Sequence, residues 1–589
     1  MPHGIVTRSV TRLTGAAIAV LFAGLALGQS SDSALKFEAA DIHTSPAAAP
    51  VNNPNQFMRG GFYRGGRYEV RTATMVDLVR TAYNVDADKV TGGPAWMDKD
   101  QFDVIAKAQA DSTADALQAM LRNLLAERFG LVVHNDTKPL AAYAITQGKK
   151  VLLKPAGGSD ETGCKMVPPP EPPAGGPMMG IFMNGVAIRM APGSLMTYSC
   201  HNMSMAALPD QLRSMIFVPG YLNGTRVVDE TELKGAWDFD IKYSANFRMP
   251  AQAAEGAPET VTIFTAFEKQ LGLKLELTKV PMPVIAVDSV NEKPTENLPG
   301  VSAKMPAPPT EFEVADIKPS DPNPPQGPFG GGCFFCPGGR VNLTRNTIGD
   351  LISLAWNLNG PGSNGRITGI PKSMEKVNWD IIAKASTMSP LNAPAPINGQ
   401  VVQPQVDFDS MRIMLQALLK DRFKLAIHEE TRPLPGYALV AVKPKLKPAD
   451  PSNRPGCKEG PGPDGKDPRT INPAAGRLFT CLNMSMADFA AQIPIRANGY
   501  FMDLPGGVVD ATKLEGNYDI TLNFSVAGMV SGGGRGGGGG AAPGEVSDPG
   551  GGITLQEAIE KQLGLKLEPQ KNPGMVLVVD HVEEKPTEN

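Results

Sequence analysis

A stretch of nine residues, EKQLGLKLE, occurs unchanged at 268–276 and again at 560–568. The match continues along the chain. Phe37-Glu38-Ala39-Ala40-Asp41-Ile42 answers to Phe312-Glu313-Val314-Ala315-Asp316-Ile317, and RFGLVVHNDTKPLAAYAI (128–145) to RFKLAIHEETRPLPGYAL (422–439). CHNMSM (200–205) matches CLNMSM (481–486), VVDETELKGAWDFDI (227–241) matches VVDATKLEGNYDITL (508–522), and EKPTEN closes each copy at 292–297 and 584–589. A period of roughly 275–290 residues is too long for a solenoid, so the chain is a tandem duplication of a whole domain. A length of 589 residues, more than a single hydrophobic core serves, agrees. The expected domains are 36–297 and 311–589, joined by the Pro-rich segment LPGVSAKMPAPPT (298–310), which is expected to be extended and semi-rigid.

A fainter duplication lies inside each copy. RYEVRTATMVDLVRTAY, WMDKDQFDVIAKA, a helix and RFGLVVHNDTKPLAAYAI follow the same order as TYSCHNMSMAALPDQLR, TELKGAWDFDIKY, a helix and QLGLKLELTKVPMPVIAV. Met75, Leu78, Val79, Ala82 and Tyr83 fall at helical spacing behind Thr74, with Asp77 placed as in a capping box; Ile348, Leu351, Ile352, Ala355 and Trp356 repeat the stripe. A second helix carries Leu117, Met120, Leu121, Leu124 and Leu125, answered by Met411, Met414, Leu415, Leu418 and Leu419. The strand-helix-strand-strand-helix-strand order is that of a ferredoxin-like, split βαβ unit, an antiparallel sheet covered by helices on one face. The expectation is therefore an α+β fold with two ferredoxin-like units per domain and long Pro/Gly-rich loops.

Within that scheme the repeated nonapeptide reads as a joint. Ala266, Phe267, Gln270 and Leu271 are expected to face the core from the last helix, Gly272 to end it in a left-handed residue, and Leu273, Leu275 and Leu277 to alternate as a half-buried strand. Glu268, Lys269, Lys274 and Glu276 then fall on solvent faces.

The N-terminus has Arg8 and Arg12 before an apolar run from about Leu13 to Leu27 and small residues up to Gly28, the layout of a secretory signal peptide (1–28). The run is shorter than the ~20 apolar residues that span a bilayer. The formal charge is -4, and there is neither a basic stripe nor Arg/Lys interleaved with aromatics, so nucleic acid is not an expected partner. The mature chain is expected to be extracytoplasmic, periplasmic or secreted, with no transmembrane segment.

FEVADIKPS, GGR before a short helix, LLxxRFxLxxHxxTxPLxxYAL, VVDxTxLxGxYD, EKQLGLKLE and VVDHVEEKPTEN, in that order, resemble an uncharacterised secreted-protein family abundant in soil acidobacteria, a domain of unknown function. The resemblance covers nearly all of the mature chain, twice. It implies an extracytoplasmic location and supplies no catalytic residues. In related architectures such a domain follows a membrane-embedded metallopeptidase of the β-lactam-sensor type, which implies sensing or partner binding. No HExxH is present here, so the peptidase chemistry does not carry over.

Cys164 and Cys200 flank the Pro/Gly/Met-rich insertion of the first domain, and Cys457 and Cys481 flank the corresponding insertion of the second. Equivalent placement suggests equivalent disulfides in an oxidising compartment; metal binding is the rival, with only His201 as a soft companion. Cys333 and Cys336 lie in GGCFFCPGG, with no counterpart in the first domain; a local disulfide or a reactive dithiol both fit. Neither haem nor zinc is expected, because 337 is Pro and two further ligands are missing.

Polar candidates remain. His134 and His428 occupy one position in both copies, open to a structural, surface or general-base role. Ser204 and Ser485 are placed as helix N-caps, and Asp229, Asp510, Asp288 and Asp580 end strand-like runs where carboxylates begin turns or, brought together, act as acid and base. The methionines at 178, 179, 183, 190, 196, 203 and 205 read as filler and core contacts, since the second domain keeps only Met484 and Met486. No cofactor or metal is expected. The favoured function is a non-catalytic binding or interaction protein linked to envelope sensing, with an unknown protein or envelope ligand bound by the loops at 157–195, 386–407, 449–475 and 525–552. The alternative is an extracytoplasmic hydrolase with its site between half-domains.

Overall fold

A computed structural model describes residues 35–45, 58–158, 161–168, 179–183, 186–190, 194–222, 225–244, 261–321, 334–358, 365–387, 389–390, 406–451, 453–460, 477–497, 499–501, 504–525 and 553–588. The segment read as a signal peptide, Cys333 and most of the Pro/Gly-rich loops lie outside these residues.

Each copy is organised around a long two-stranded antiparallel ribbon. In the first, Val132–Gln147 pairs with Leu273–Ser289 along almost its whole length; in the second, Ala426–Ala441 pairs with Leu565–His581. Pro139 faces Pro281, and Pro433 faces Pro573. Counted from the residue that ends the preceding helix, Gly130 or Gly272, each proline of the first pair sits the same distance along its strand. The centre of the ribbon is thus a local pseudo-twofold axis, and it relates the two halves of the internal duplication. At one end Val90–Gly92 adds a parallel strand along Ile285–Val287; at the other, Val227–Asp229 does the same along Tyr143–Ile145. Ile367–Thr368 and Val508–Asp510 repeat the arrangement in the second copy.

An antiparallel sheet stands beyond each ribbon end. In the first copy one sheet has the order Ala39–Thr44, Gln101–Lys107, Arg67–Thr74, Arg59–Arg64, and the other Lys154–Pro155, Ala236–Ser244, Leu195–Ser204, Gly163–Val167. Helices Met75–Tyr83 and Ala114–Phe129 enclose the first core. Leu208–Ser214, Val218–Leu222 and Ile263–Ala266 enclose the second. One ribbon serves both cores: Ile285 and Val287 belong to the first, whereas Tyr143, Ile145, Leu273 and Leu275 belong to the second. The second copy again has two cores, with Leu577 and Val579 in one and Leu439, Leu565 and Leu567 in the other.

The mixed, mainly antiparallel architecture and its repetition agree with expectation, but the strand pairing departs from a ferredoxin-like unit. There, all four strands of a half-domain share one sheet. Here Arg67–Thr74 and Gln101–Lys107 pair with each other in one sheet, and Val90–Gly92 and Val132–Gln147 lie in another. The cause is strand length: a strand of 16 residues outruns one half-domain core and finds its partner across the axis.

Local signals explain the elements. Thr74 and Asp77 form the anticipated capping box, with Asp77 N–H donating to Thr74 Oγ1 at 3.1 Å and Thr74 N–H to Asp77 Oδ2 at 3.1 Å; Thr347 and Asp350 repeat it. Ser485 caps its helix as expected. Ser204 instead accepts from Ala207 N–H in a turn, and the helix begins later, at Leu208. The segment 298–310, read as extended, carries a short 3-10 turn at Ser302–Lys304 and lies against the first copy: Val301 is buried, Ser302 Oγ donates to Asp41 Oδ2 at 2.7 Å, and Pro306 O accepts from Arg67 Nη1 at 2.6 Å.

Candidate functional site

The nonapeptide holds the fold together in a way that periodicity did not show. Phe267–Leu271 and Ile559–Leu563 are π-helical turns ended by Gly272 and Gly564 at φ 66°. A Cβ on either glycine would stand 1.9 Å from Lys150 O or 1.7 Å from Lys443 O, so both the left-handed backbone and the close approach require glycine. Gln270, expected in the core, faces a strand edge instead: Lys242 N–H donates to its Oε1 at 2.9 Å and its Nε2 donates to Lys242 O at 2.7 Å. Gln562 does the same to Asn523, at 3.0 and 2.7 Å. A primary amide matches a backbone donor and acceptor pair, and here it closes an edge that a neighbouring strand leaves open.

The acids are similarly engaged. Each half-domain has a register break between its two main strands: Val70/Ala73, Cys200/Met203, Leu343/Asn346 and Cys481/Met484. At each break a residue takes a positive φ, namely Thr72, Asn202, Arg345 and Asn483. The N–H of each donates to a carboxylate on the adjacent strand, Asp103, Asp238, Asp380 or Asp519, at 2.8–2.9 Å. The four aspartates follow an aromatic residue in FD, WD, WD and YD. The alignment of WMDKDQFDVIAKA with TELKGAWDFDIKY contained this signal, but the role was not readable without the bulge. Asp238 also accepts from Gly157 N–H, and its two backbone hydrogen bonds hold its carboxyl below the usual carboxylate range. Asp229 and Asp510 begin turns as expected, each accepting from the N–H and hydroxyl of the threonine two residues on.

His134 and His428 occupy equivalent places on the ribbons, and each is joined to an aspartate that the sequence placed only at a strand end. His134 Nδ1 lies 2.9 Å from both oxygens of Asp288, and His428 Nδ1 lies 2.9 Å from both oxygens of Asp580. Asp288 and Asp580 are the unpaired residues of a bulge near one end of each ribbon. A bulge re-aims one side chain, and here it turns the aspartate toward the ring. Both histidine side chains are about half exposed, at 54% and 53%. An imidazole oriented at Nδ1 by a carboxylate has Nε2 available for a proton or a ligand.

A hydroxyl meets an imidazole at a third place. Ser199 Oγ is 3.3 Å from His201 Nε2, but it donates to Asp240 Oδ1 at 2.6 Å. The second copy has Thr480 and Leu482 at these positions, so the chain Asp240–Ser199–His201 is confined to the first.

Cys164 and Cys200 stand opposite each other on adjacent strands and form a disulfide, as do Cys457 and Cys481, with Cα separations of 4.0 and 3.9 Å. Metal ligation at these four positions is thereby replaced by a covalent tie. Cys336 is disulfide-bonded too. Met196, Met203 and Met205 are buried core residues, as are Met484 and Met486. Among the described residues, no group of three or more His, Cys, Asp or Glu side chains could hold a metal ion, and no helix is long and apolar enough to cross a membrane.

The family model for proteins of unknown function DUF3738 matches residues 76–290 and again 349–582. The chain belongs to the DUF3738 family. Each match contains one whole ribbon with its His–Asp pair, so the two DUF3738 copies and the two structural repeats coincide. No curated protein and no solved structure matches the chain.

Proposed function

We propose that this chain is a non-catalytic extracytoplasmic binding protein, two DUF3738 modules serving as a rigid scaffold for Pro/Gly-rich contact loops, possessing a signal peptide and linked to envelope sensing. The observation that supports this most is the use of the recurring polar residues. The bulge-capping aspartates of all four half-domains and the glutamines of both nonapeptides are bound to backbone groups, so these repeated side chains serve to hold strands in place. The disulfides are compatible with an oxidising compartment. The family resemblance to secreted acidobacterial proteins points the same way.

A hydrolase is the second reading, favoured by the carboxylate-oriented His134 and His428 and by the Ser199–His201 contact. One pair of variants separates the two. Under the scaffold reading, His134→Gln with His428→Gln leaves envelope-partner capture intact, while shortening 171–178 and 461–470 abolishes it. A wild-type turnover of ester, peptide or glycoside substrates that vanishes in the histidine variant, with the melting curve unchanged, would establish the hydrolase instead.

A further inference from the structure

The two copies meet through charged contacts that use different surfaces of the same fold. Arg454 of the second copy reaches a 3-10 turn of the first: its Nε lies 3.1 Å from both oxygens of Asp98 and its Nη2 2.9 Å from Oδ1. Its Nη1 donates to Ala87 O at 3.2 Å and to Val90 O. Lys99 lies 3.7 Å from Asp488 beside it, and Arg59 of the first copy pairs with Asp409 of the second at 2.7 Å. A short strand of the second copy, Ser389–Pro390, pairs with Phe62 and Tyr63 at the edge of the first copy's sheet. A fork that satisfies one carboxylate and two carbonyls has little freedom to settle elsewhere.

The equivalent residues break the pattern. Glu161-Thr162-Gly163-Cys164 aligns with Arg454-Pro455-Gly456-Cys457, so the first copy has a glutamate where the second has the arginine. Trp96-Met97-Asp98-Lys99 aligns with Ser373-Met374-Glu375-Lys376, so the second copy keeps an acid where the first has Asp98. A contact between unlike faces can propagate from copy to copy. Here a further copy added in the same sense would bring Glu161 against Glu375, two like charges.

We propose that the face formed by Ala87–Val90 and Asp98 is a docking surface whose partner is the second DUF3738 copy of the same chain, and that Arg454 selects that partner and sets a one-way order that ends at two copies. The linker contacts the first copy through Pro306, so the chain can be opened beyond it without disturbing them.

The test inserts a protease site between Pro309 and Thr310 of the full chain and measures association of the halves after cleavage. The unmutated halves are expected to remain bound and co-elute. Arg454→Ala is expected to weaken their association at least tenfold, and Arg454→Glu, which copies the first repeat's residue, to separate them. Asp98→Asn tests the same contact from the other half, so a folding defect in an Arg454 variant does not decide the result. Unmutated halves that separate on cleavage would overturn the proposal. So would Arg454→Glu and Asp98→Asn halves that keep unmutated affinity and melting temperatures.

Discussion

Asp238 shows how a single side chain is committed to the fold. Its two oxygens accept from the N–H groups of Asn202 and Gly157, one at the strand bulge and one in the turn after a neighbouring strand. Those bonds favour the charged form and depress its pKa. A depressed carboxylate contributes stability that is present above its unfolded value, 3.8, and is lost as the pH falls through the folded one. Asp238→Asn is therefore expected to lower stability at neutral pH and to flatten the decline in melting temperature between about pH 5 and pH 2. A pH series of thermal melts on both proteins checks this, and an unaltered acid slope would refute the assignment. At this scale the sequence was partly legible. Thr74 and Asp77 announced their capping box because every atom involved lies within one turn. Gln270 did not announce its role, because helical spacing marks which way a residue points and not whether a strand edge waits there. Nor did Asp288, whose turn toward His134 depends on a bulge in a strand pair brought together from distant parts of the chain.

Among the elements, the ribbon decides the architecture, and it explains why the ferredoxin-like expectation met only part of the structure. Element order was readable from alternation and helical stripes, whereas the choice of partner for a strand as long as Leu273–Ser289 is a tertiary matter that local pattern leaves open. The disulfides belong to this scale as well. Each ties an outer strand to the main strand beside it, across insertions with sequence separations of 36 and 24 residues. Removing the first bridge by Cys164→Ser with Cys200→Ser should cost about 3–4 kcal/mol, by the chain-entropy relation. Chemical denaturation with matched reduced and oxidised controls measures it. A loss below ~1 kcal/mol would show that the strand pairing restrains the insertion without the bridge. Equivalent placement in the two copies made these pairs legible in sequence, since a bridge needs only two positions and both recur.

At the scale of the whole molecule, the chain is two DUF3738 copies, each closed on itself. Closure is visible at the end of the first copy: Thr295 N–H donates to Arg128 O at 2.8 Å, and Asn297 pairs with both backbone groups of Ile42 and donates to Asp41 Oδ1 at 2.6 Å. The EKPTEN segment thus brings the end of the copy back to its first strand. Thr587 N–H makes the matching bond to Arg422 O in the second copy. The sequence displayed the repeat of EKPTEN but not the closure, whose partners Ile42 and Asn297 are 255 residues apart in the chain. A segment whose two ends are tied together, and whose ribbon completes both of its cores, should fold without its neighbour. The most direct measurement is calorimetry of residues 36–297 expressed alone and oxidised. One cooperative transition is expected, with calorimetric and van't Hoff enthalpies in agreement and the Cys164–Cys200 bridge formed. A broad, non-cooperative melt that sharpens only when residues 311–589 are restored would contradict it.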